Sequence, residues 1–390
     1  MLNSAFEPWP SFTQAEADAV SKVLLSNKVN YWTGQECREF EKEFAQFVGT
    51  SHAVAVANGT VALDLALKAL DIGAGDDVIV TSRTFLASAS SIVTAGANPV
   101  FADVELDSQD ISRCTIEAVI TPNTKAIICV HLAGWMCDMD PIMQLAAEKG
   151  LYVIEDCAQA HGAMYKGRSA GSIGHIGAWS FCQDKIMTTG GEGGMVTTND
   201  ENLWKKMWSY KDHGKNFDTV YNKQHPPGFR WLHDHFGTNW RMMEMQAVIG
   251  RLQLKQMPTW TAQRHANMAR ILAAFEHSPY FTVSQPSSDY VHAAYKCYVQ
   301  VNVDRLPEGW SRDRIMAEIS AQNVPCFSGS CSEVYLEKAF DDTPWRPAQR
   351  LAHAKQLGET SLMFLVHPTL SEESIVKTVH AIENVMAKMR

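Results

Sequence analysis

Several features that mark other classes of protein are missing from this 390-residue sequence. It has no Lys/Arg-rich block, and its 43 acidic residues outnumber its 34 basic residues, which argues against a nucleic-acid partner. No apolar run approaches the ~20 residues that span a bilayer, and no secretory signal is visible at the start. Its nine cysteines include no CxxC pair, which argues against a disulfide framework or a zinc site. We therefore expect a cytoplasmic protein without a bound metal ion or a membrane partner.

The first 250 residues alternate short β-branched runs with patterns typical of helices. Continuous apolar runs are typical of strands that are buried on both faces of a sheet. This strand–helix alternation predicts an α/β fold with a doubly wound, mostly parallel sheet. The predicted strands span residues 52–57, 77–81, 99–104, 125–131, 151–156, 178–181 and 195–198, and helices are predicted between them over 60–70, 86–95 and 141–149.

The pattern changes after about Gly250, where amphipathic helices and a strand of alternating polarity replace the buried runs. We therefore predict two domains, a large one over residues 1–250 and a smaller α+β domain over residues 251–390. The elements predicted in the second part are helices over 252–275 (interrupted near Pro258), 312–322 and 371–389, and a strand over 295–303.

One lysine, Lys185, lies between an apolar strand and a cluster of glycines at 190, 191, 193 and 194. Glycines in such a loop allow the backbone to approach a ligand closely. A buried lysine beside it can have a lowered pKa and form a Schiff base. A lone lysine before a loop is more often an ordinary surface residue, so only the surrounding motifs favour the chemical role.

Two further segments place polar groups where ligands bind in α/β proteins. Asp156 ends a predicted strand, where its carboxylate could pair with a protonated ring nitrogen or simply cap a helix. The turn Asn58-Gly59-Thr60 joins a strand to a helix, whose first N–H groups and positive dipole favour a phosphate. The same three residues also occur at such junctions merely as a cap, so this signal is weak alone.

Four segments together resemble one family: ANGT at 57–60, EDCAQAHG at 155–162, SFCQDKIMTTGGEGG at 180–194 and GTNWRMMEMQA at 237–247. It is the DegT/DnrJ/EryC1/StrS family of pyridoxal-phosphate sugar aminotransferases, which has the fold type I, aspartate aminotransferase-like architecture. The resemblance covers nearly the whole chain and implies a seven-stranded sheet flanked by helices, followed by a smaller C-terminal α+β domain. A dehydratase branch of the family has His in place of the Schiff-base lysine, so Lys185 favours transamination.

The resemblance also implies roles for the residues of these motifs. Lys185 would hold pyridoxal 5′-phosphate (PLP) and, once displaced, shuttle a proton. Asp156 would keep the pyridine nitrogen protonated, and the cofactor would cycle through pyridoxamine 5′-phosphate. Because one residue would come from a neighbouring subunit, a homodimer with shared active sites is implied. The other cofactor residues would be Gly59, Thr60 and Ser180 at the phosphate, Phe85 on the ring face, Gln159 beside the ring hydroxyl, and Asn239 from that neighbour.

The sequence departs from the family pattern in places that could bind substrate. Arg83, after the second predicted strand, could contact an anionic substrate group or could be an ion-paired surface residue. The predicted loop at 221–236 is longer than the usual link, and Arg230 within it could also contact substrate. The remaining substrate candidates, each of which is more often a structural histidine, are His131, His161 and His213.

We therefore expect a PLP-dependent aminotransferase that moves an amino group from glutamate to a keto-sugar. The expected acceptor is a nucleotide-linked 3- or 4-keto sugar for surface polysaccharide or lipopolysaccharide biosynthesis. One alternative is a keto-sugar acid, such as C8-oxidised Kdo, which would give 8-amino-Kdo. Another is a non-catalytic regulatory PLP protein, which retention of Lys185, Asp156 and Gln159 disfavours. A nicotinamide dehydrogenase lacks support because no GxGxxG follows an early strand.

Overall fold

The computed structural model of the protein describes residues 6–224, 228 and 231–389. Its strands are β1 (His52–Val56), β2 (Asp77–Thr81), β3 (Asn98–Ala102), β4 (Thr124–Val130), β5 (Tyr152–Asp156), β6 (Met164–Tyr165), β7 (Arg168–Ser169), β8 (Ile176–Ser180), β9 (Gly194–Thr198), β10 (Phe281–Thr282), β11 (Tyr290–Val291), β12 (Cys297–Val301), β13 (Cys326–Phe327) and β14 (Ser361–Phe364). Its α-helices are α1 (Gln14–Leu25), α2 (Glu36–Val48), α3 (Gly59–Ala69), α4 (Ala87–Thr94), α5 (Arg113–Glu117), α6 (Met139–Lys149), α7 (Glu201–Lys211), α8 (Phe217–Tyr221), α9 (Glu244–Leu254), α10 (Met257–Ala273), α11 (Arg312–Ser320), α12 (Ala352–Thr360) and α13 (Glu372–Lys388).

A seven-stranded sheet with the order β1-β9-β8-β5-β4-β2-β3 forms the centre of the fold. Strands β8, β5, β4, β2 and β3 run parallel, whereas β9 runs antiparallel to both of its neighbours. Because parallel strands end at the same edge of a sheet, the residues that follow β2, β4, β5 and β8 come together there. The predicted α/β fold with a seven-stranded, mostly parallel sheet is confirmed.

Apolar cores cover both faces of this sheet. Phe44 of α2 and Leu145 of α6 belong to one core, and Leu65 of α3 and Ile92 of α4 belong to the other. Strands enclosed on both faces bury every residue, as β2 does. This two-sided burial explains why the sequence shows continuous apolar runs rather than strict alternation in the central strands.

A second, four-stranded antiparallel sheet has the order β10-β12-β14-β13. It packs with α10, α11 and α13 around a separate core that includes Phe275, Val299, Leu362 and Ile382. This sheet matters for the site because its residues close one side of the main cavity. The predicted domain boundary after residue 250 falls inside α9 and stays a prediction.

Three predicted elements can be compared with the structure in detail. The predicted interruption of the 252–275 helix near Pro258 is confirmed: α9 ends at Leu254 and α10 begins at Met257, because Pro258 lacks an N–H and would clash with the carbonyl four residues earlier. Helix α6 begins at Met139, ahead of Pro141, since the first turn of a helix needs no N–H donor. In the predicted loop 221–236, Tyr221 is the last residue of α8, and the other described residues form neither helix nor strand.

Among the described residues, no helix combines the length and the apolar character that a membrane crossing requires.

Candidate active site

A cavity of about 830 Å³, here called the main cavity, opens at the carboxyl ends of β5 and β8. On the side of the seven-stranded sheet its lining includes Asp156, Ser180 and the start of α3. On the opposite side it is closed by Tyr298 and by Phe327 of the four-stranded sheet. Open α/β sheets bind ligands at this edge, so the cavity lies where the topology places a site.

Asp156 is a buried carboxylate with few partners. Its Oδ2 accepts a hydrogen bond of 2.8 Å from the Ser88 hydroxyl, and its Oδ1 accepts one of 3.2 Å from the Ala158 N–H. Ser88 Oγ also lies 2.8 Å from Thr84 Oγ1, which fixes its orientation. Burial raises the pKa of Asp156 despite these bonds and despite the nearby charge of Lys185. A cation placed against this carboxylate would therefore stabilise its charged form.

The adjacent carboxylate, Glu155, points to the other face of β5 and is fully satisfied. It accepts the N–H groups of Gly171, Ile173 and Gly174, and His131 Nε2 lies 2.9 Å from its Oε2. Burial alone would raise the pKa of Glu155, but these hydrogen bonds lower it below its usual value. The His131 ring accepts a hydrogen bond from the Cys137 N–H at Nδ1. Its Nε2 therefore carries the hydrogen and donates the hydrogen bond to Glu155.

His131, Glu155 and Cys157 have ligand atoms within 4.8 Å of one another, a spacing that could suit a metal ion. The oxygens of Glu155 already accept four donors, so this group is best described as a structural network of hydrogen bonds. His131 is not among the described residues that line the main cavity.

Lys185 lies on the cavity wall in the turn that follows β8. Its carbonyl accepts a 2.7 Å hydrogen bond from the Trp9 indole, and its Nζ is 5.3 Å from the centre of the Tyr295 ring. The preceding residue, Asp184, accepts a 2.8 Å hydrogen bond from the Tyr295 hydroxyl. Burial tends to raise the pKa of Asp184, but the charge of Lys185 and this hydrogen bond lower it. An ionised acid therefore stands beside the amine.

The turn before α3 has the features of a phosphate cradle. Asn58 caps the helix by accepting the Val61 N–H at 2.9 Å, so the N–H groups of Gly59 and Thr60 have no partner in the helix. A Cβ at position 59 would lie 2.5 Å from Ser180 Cβ, and a Cβ at Gly194 would lie 2.3 Å from the Asn58 carbonyl. Glycine is therefore required for the close approach of the turn, β8 and β9.

Gln159 and Phe85 also line the main cavity. The side-chain oxygen of Gln159 accepts a 2.7 Å hydrogen bond from the Ala133 N–H, which leaves the amide NH₂ group as a donor toward the cavity. Ala133 has a φ of 57°, in the left-handed region, within the short 3₁₀ turn Leu132–Gly134. The Phe85 side chain is 73% exposed at the cavity mouth, where it can cover a bound ring.

The structure places the other candidates away from the cavity lining. His161 is fully buried between Trp179 and Phe181, and burial lowers its pKa to about 3, so it is neutral. His213 is exposed and has a left-handed φ of 62°. Asn239 is exposed in a segment whose neighbour, Trp240, accepts the Ala57 N–H beside β1. Arg230 lies outside the described residues.

Arg83 is completely buried, so the expectation of an ion-paired surface residue is wrong. Its guanidinium donates to Gln109 Oε1 at 3.0 Å, to the Ser330 carbonyl at 3.4 Å and to Ser361 Oγ at 3.1 Å. All three partners are neutral. Burial lowers the pKa of Arg83. The side chain lies one layer behind Tyr298 and Ser330, which line the cavity.

Sequence reasoning missed several cavity residues. Ser88 follows the Thr84-Phe85 pair by only three residues, and Asp184 stands directly before Lys185, so both lay within reach of the motifs. Lys296 falls at a polar position of the alternating predicted strand at 295–303, so the pattern itself gave no sign that it lines a cavity. The missed residues that line the cavity are Ser88, Asp184, Tyr295, Lys296 and Tyr298.

Lys185, the strand-end Asp156 and the helix start at Gly59 line one cavity of the α/β fold. The sequence profile of the DegT/DnrJ/EryC1/StrS aminotransferase family matches residues 10–383. The chain belongs to this family, whose members are PLP-dependent sugar aminotransferases, and it is such an enzyme.

Known proteins resemble the chain over nearly its full length. GDP-perosamine synthase of Caulobacter vibrioides is 37% identical over 89% of this chain and 89% of its own. The structure of an aminotransferase from Psychrobacter cryohalolentis is 66% identical, has a TM-score of 0.97, and covers 98% of this chain and 99% of its own. Spr1654 of Streptococcus pneumoniae, solved in a PMP form, is 25% identical with a TM-score of 0.87, and each chain is covered completely.

Proposed function

We propose that the protein transfers an amino group from glutamate to a nucleotide-linked 3- or 4-keto sugar that is used for surface polysaccharide. The observation that carries the proposal is the placement of Lys185 and Asp156 on the wall of one cavity, beside the turn at Gly59. GDP-perosamine synthase, a relative over most of the chain, supports a nucleotide-linked acceptor.

The residues present fit PLP. A buried carboxylate with a raised pKa suits a cationic ring nitrogen, which Asp156 would keep protonated. The helix-start N–H groups at Gly59 and Thr60, with the Ser180 hydroxyl, would hold the phosphate. The Gln159 amide would donate to the ring hydroxyl, and Phe85 would cover the ring. When bound, the cofactor supplies an electron sink that stabilises a carbanion at the reacting carbon.

The chain's own groups would then carry the proton transfers. Lys185 Nζ, once released by the amino donor, would take a proton from the reacting carbon and return it elsewhere on the same bound molecule. Asp184, ionised and hydrogen-bonded to Tyr295, would stabilise the protonated form of this amine. The Trp9 indole donates a hydrogen bond to the Lys185 carbonyl, so the backbone stays in place while the side-chain amine moves. The two walls of the cavity would limit access of water to this centre.

We also propose a homodimer with shared sites. Asn239 is exposed, and its segment runs beside β1, next to the Gly59 turn. In a two-fold dimer the same segment of each subunit faces its counterpart, so each Asn239 would complete the other subunit's phosphate site. Mixing Asn239→Ala with Lys185→Ala subunits under exchange conditions should restore activity through one intact site per heterodimer. A mixture that stays inactive after verified exchange would exclude the shared site.

Two alternative functions predict different results in the assays described here. The first is a keto-sugar acid as the acceptor. It is favoured because Arg83, buried behind the cavity wall, is hydrogen-bonded only to neutral groups among the described residues. A non-catalytic regulatory role would leave the cofactor bound but would give no amino transfer. The glutamate half-reaction, followed by absorbance, separates an enzyme from a regulator. A panel of keto-sugars with mass detection then identifies the acceptor.

Borohydride reduction followed by peptide mapping tests the centre of the proposal. The label should appear on Lys185, because this is the cavity lysine whose charge acts on Asp156. Lys68, an exposed lysine of α3, is the control and should remain unlabelled. Labelling of any other lysine would overturn the assignment.

A further inference from the structure

Asp212 is a completely buried carboxylate that directly follows α7, and donors from three parts of the chain converge on it. Its Oδ1 accepts hydrogen bonds from Arg241 Nη1 at 2.8 Å, from Lys215 Nζ at 3.1 Å and from the Trp32 indole at 3.3 Å. The Nζ of Lys211, which is also buried, lies 3.9 Å from Oδ2. One carboxylate therefore joins the loop before α2, the end of α7 and the segment before α9.

Backbone pairing fixes the segment that carries Asn239 on both sides. Asp212 and Asn239 form an antiparallel bridge, and Arg241 forms a second one with Val56 at the end of β1. Strand β1 leads directly into the Gly59 turn. Asn239 itself is exposed, and it is not among the described residues that line the main cavity of its own subunit. The segment is therefore held between α7 and β1 while Asn239 stays available to another subunit.

The negative charge of Asp212 balances the positive charges around it. Among the described residues, Lys215 and Arg241 form their ion pairs with Asp212 alone, whereas the charge of Glu41 also acts on Lys211. Cations that are partly removed from water repel each other strongly when no acid lies between them. An amide at position 212 would keep the shape of the side chain but would leave Lys215 and Arg241 unbalanced. Because Arg241 belongs to the segment, its displacement would move the segment as well.

We propose that Asp212 is a positioning residue, which holds the segment that carries Asn239 and thereby acts on the active site of the partner subunit. The inference rests on the proposed homodimer, in which Asn239 completes the other subunit's phosphate site. Asp212 is not among the described residues that line the main cavity of its own subunit. Its loss should therefore weaken PLP binding at the partner's site and leave the site of its own subunit intact.

The test uses heterodimers of the full chain, purified through two different affinity tags, in which only one subunit keeps Lys185. In the trans arrangement, Asp212→Asn is placed on the Lys185→Ala subunit, whose Asn239 would serve the intact site. In the cis arrangement, Asp212→Asn is placed on the subunit that keeps Lys185. Release of PLP on dilution is read from the absorbance of lysine-bound cofactor, which only the intact site gives. Both heterodimers carry the same substitutions, so a general loss of stability affects them alike.

We expect Asp212→Asn to raise the dissociation constant of PLP by about 10-fold or more in the trans arrangement, because the phosphate loses a well-placed hydrogen bond. In the cis arrangement the constant should match that of the heterodimer without this substitution. Arg241→Met removes the cation of the segment itself and should show the same preference, so it carries the comparison where Asp212→Asn does not assemble. The matched control is Asp77→Asn, a buried carboxylate at the start of β2, away from the main cavity, which should leave both arrangements unchanged.

Asn239→Ala in the same two arrangements separates this proposal from the proposed function. If Asn239→Ala weakens PLP binding in trans, but Asp212→Asn weakens it equally in both arrangements, only in cis or in neither, Asp212 does not position the segment and the proposal is overturned. If Asn239→Ala itself has no effect in trans, the shared site of the proposed function is wrong, and the role of Asp212 is refuted with it.

Discussion

The two faces of β5 end in adjacent carboxylates with opposite surroundings. On one face Glu155 accepts three backbone N–H groups and the His131 ring, and its pKa is lowered. On the other face Asp156 accepts one hydroxyl and one N–H at the main cavity, and burial raises its pKa. Neighbouring residues on a strand point to opposite faces, so one step along the chain separates these two environments.

The difference shows how a fold prepares a site. Donors from the turn at 171–174 satisfy Glu155 within the protein, so this carboxylate contributes to stability. Asp156 accepts only two hydrogen bonds among the described residues, so burying its negative charge costs stability until a cationic ligand pairs with it. Substitutions on the two faces should therefore separate activity from stability.

The largest effect on activity is expected from Asp156→Asn. The neutral amide cannot stabilise a protonated ring nitrogen, so single-turnover rates should fall on the order of 10²–10³-fold. The free energy of unfolding of the cofactor-free protein should change by less than about 1 kcal/mol, since the removed charge was poorly stabilised. Stopped-flow absorbance and urea unfolding measure the two effects. Near-normal single-turnover rates would show that Asp156 does not partner the ring.

Glu155→Gln should reverse this pattern. The substitution leaves buried N–H groups without the carboxylate that they need, so the free energy of unfolding should fall by about 3 kcal/mol. The folded fraction should keep turnover within a few-fold of wild type, because Glu155 points away from the cavity. Glu148→Gln, at an exposed ion pair with Arg113, is the control and should cost less than about 1 kcal/mol. A stable but inactive Glu155→Gln protein would contradict the assignment.

The same substitution should change how stability depends on pH. A carboxyl whose pKa is lower in the folded than in the unfolded state contributes stability above its unfolded value, 4.5 for Glu155. That contribution is lost as the pH falls through the lowered folded pKa. Wild-type unfolding free energy should therefore decline more steeply below pH 4.5 than that of Glu155→Gln. Urea titrations at a series of acidic pH values give the two slopes, and equal slopes would refute the prediction.

The sequence predicted the fold, and it singled out Lys185 and Asp156, which share one cavity, because both depend on local patterns. Continuous apolar runs indicated the buried parallel strands, and the motifs placed Asp156 at the end of a strand and Lys185 between a strand and a glycine cluster. The state of Arg83 was not predictable, since its partners Ser330 and Ser361 lie more than 240 residues away in the chain. The structural role of His131 was not predictable either, because it depends on the contact with Glu155 on the neighbouring strand. Long-range contacts of this kind leave no periodic signal in the sequence.

The smallest effect is expected from Ser88→Ala, which tests how the cavity face orients its carboxylate. The hydroxyl donates to Asp156, and its loss should raise the pKa of this group further because that bond lowers it. Turnover at neutral pH should fall about 10-fold, in line with the loss of one hydrogen bond to a charged group. The absorbance of the bound cofactor, titrated with pH, should shift as well, which a purely structural role would not produce. Ser91→Ala is the matched control, since Ser91 is equally buried on α4 but donates only to the Ser88 carbonyl. Equal effects of the two substitutions would mean that Ser88 serves packing rather than the orientation of Asp156.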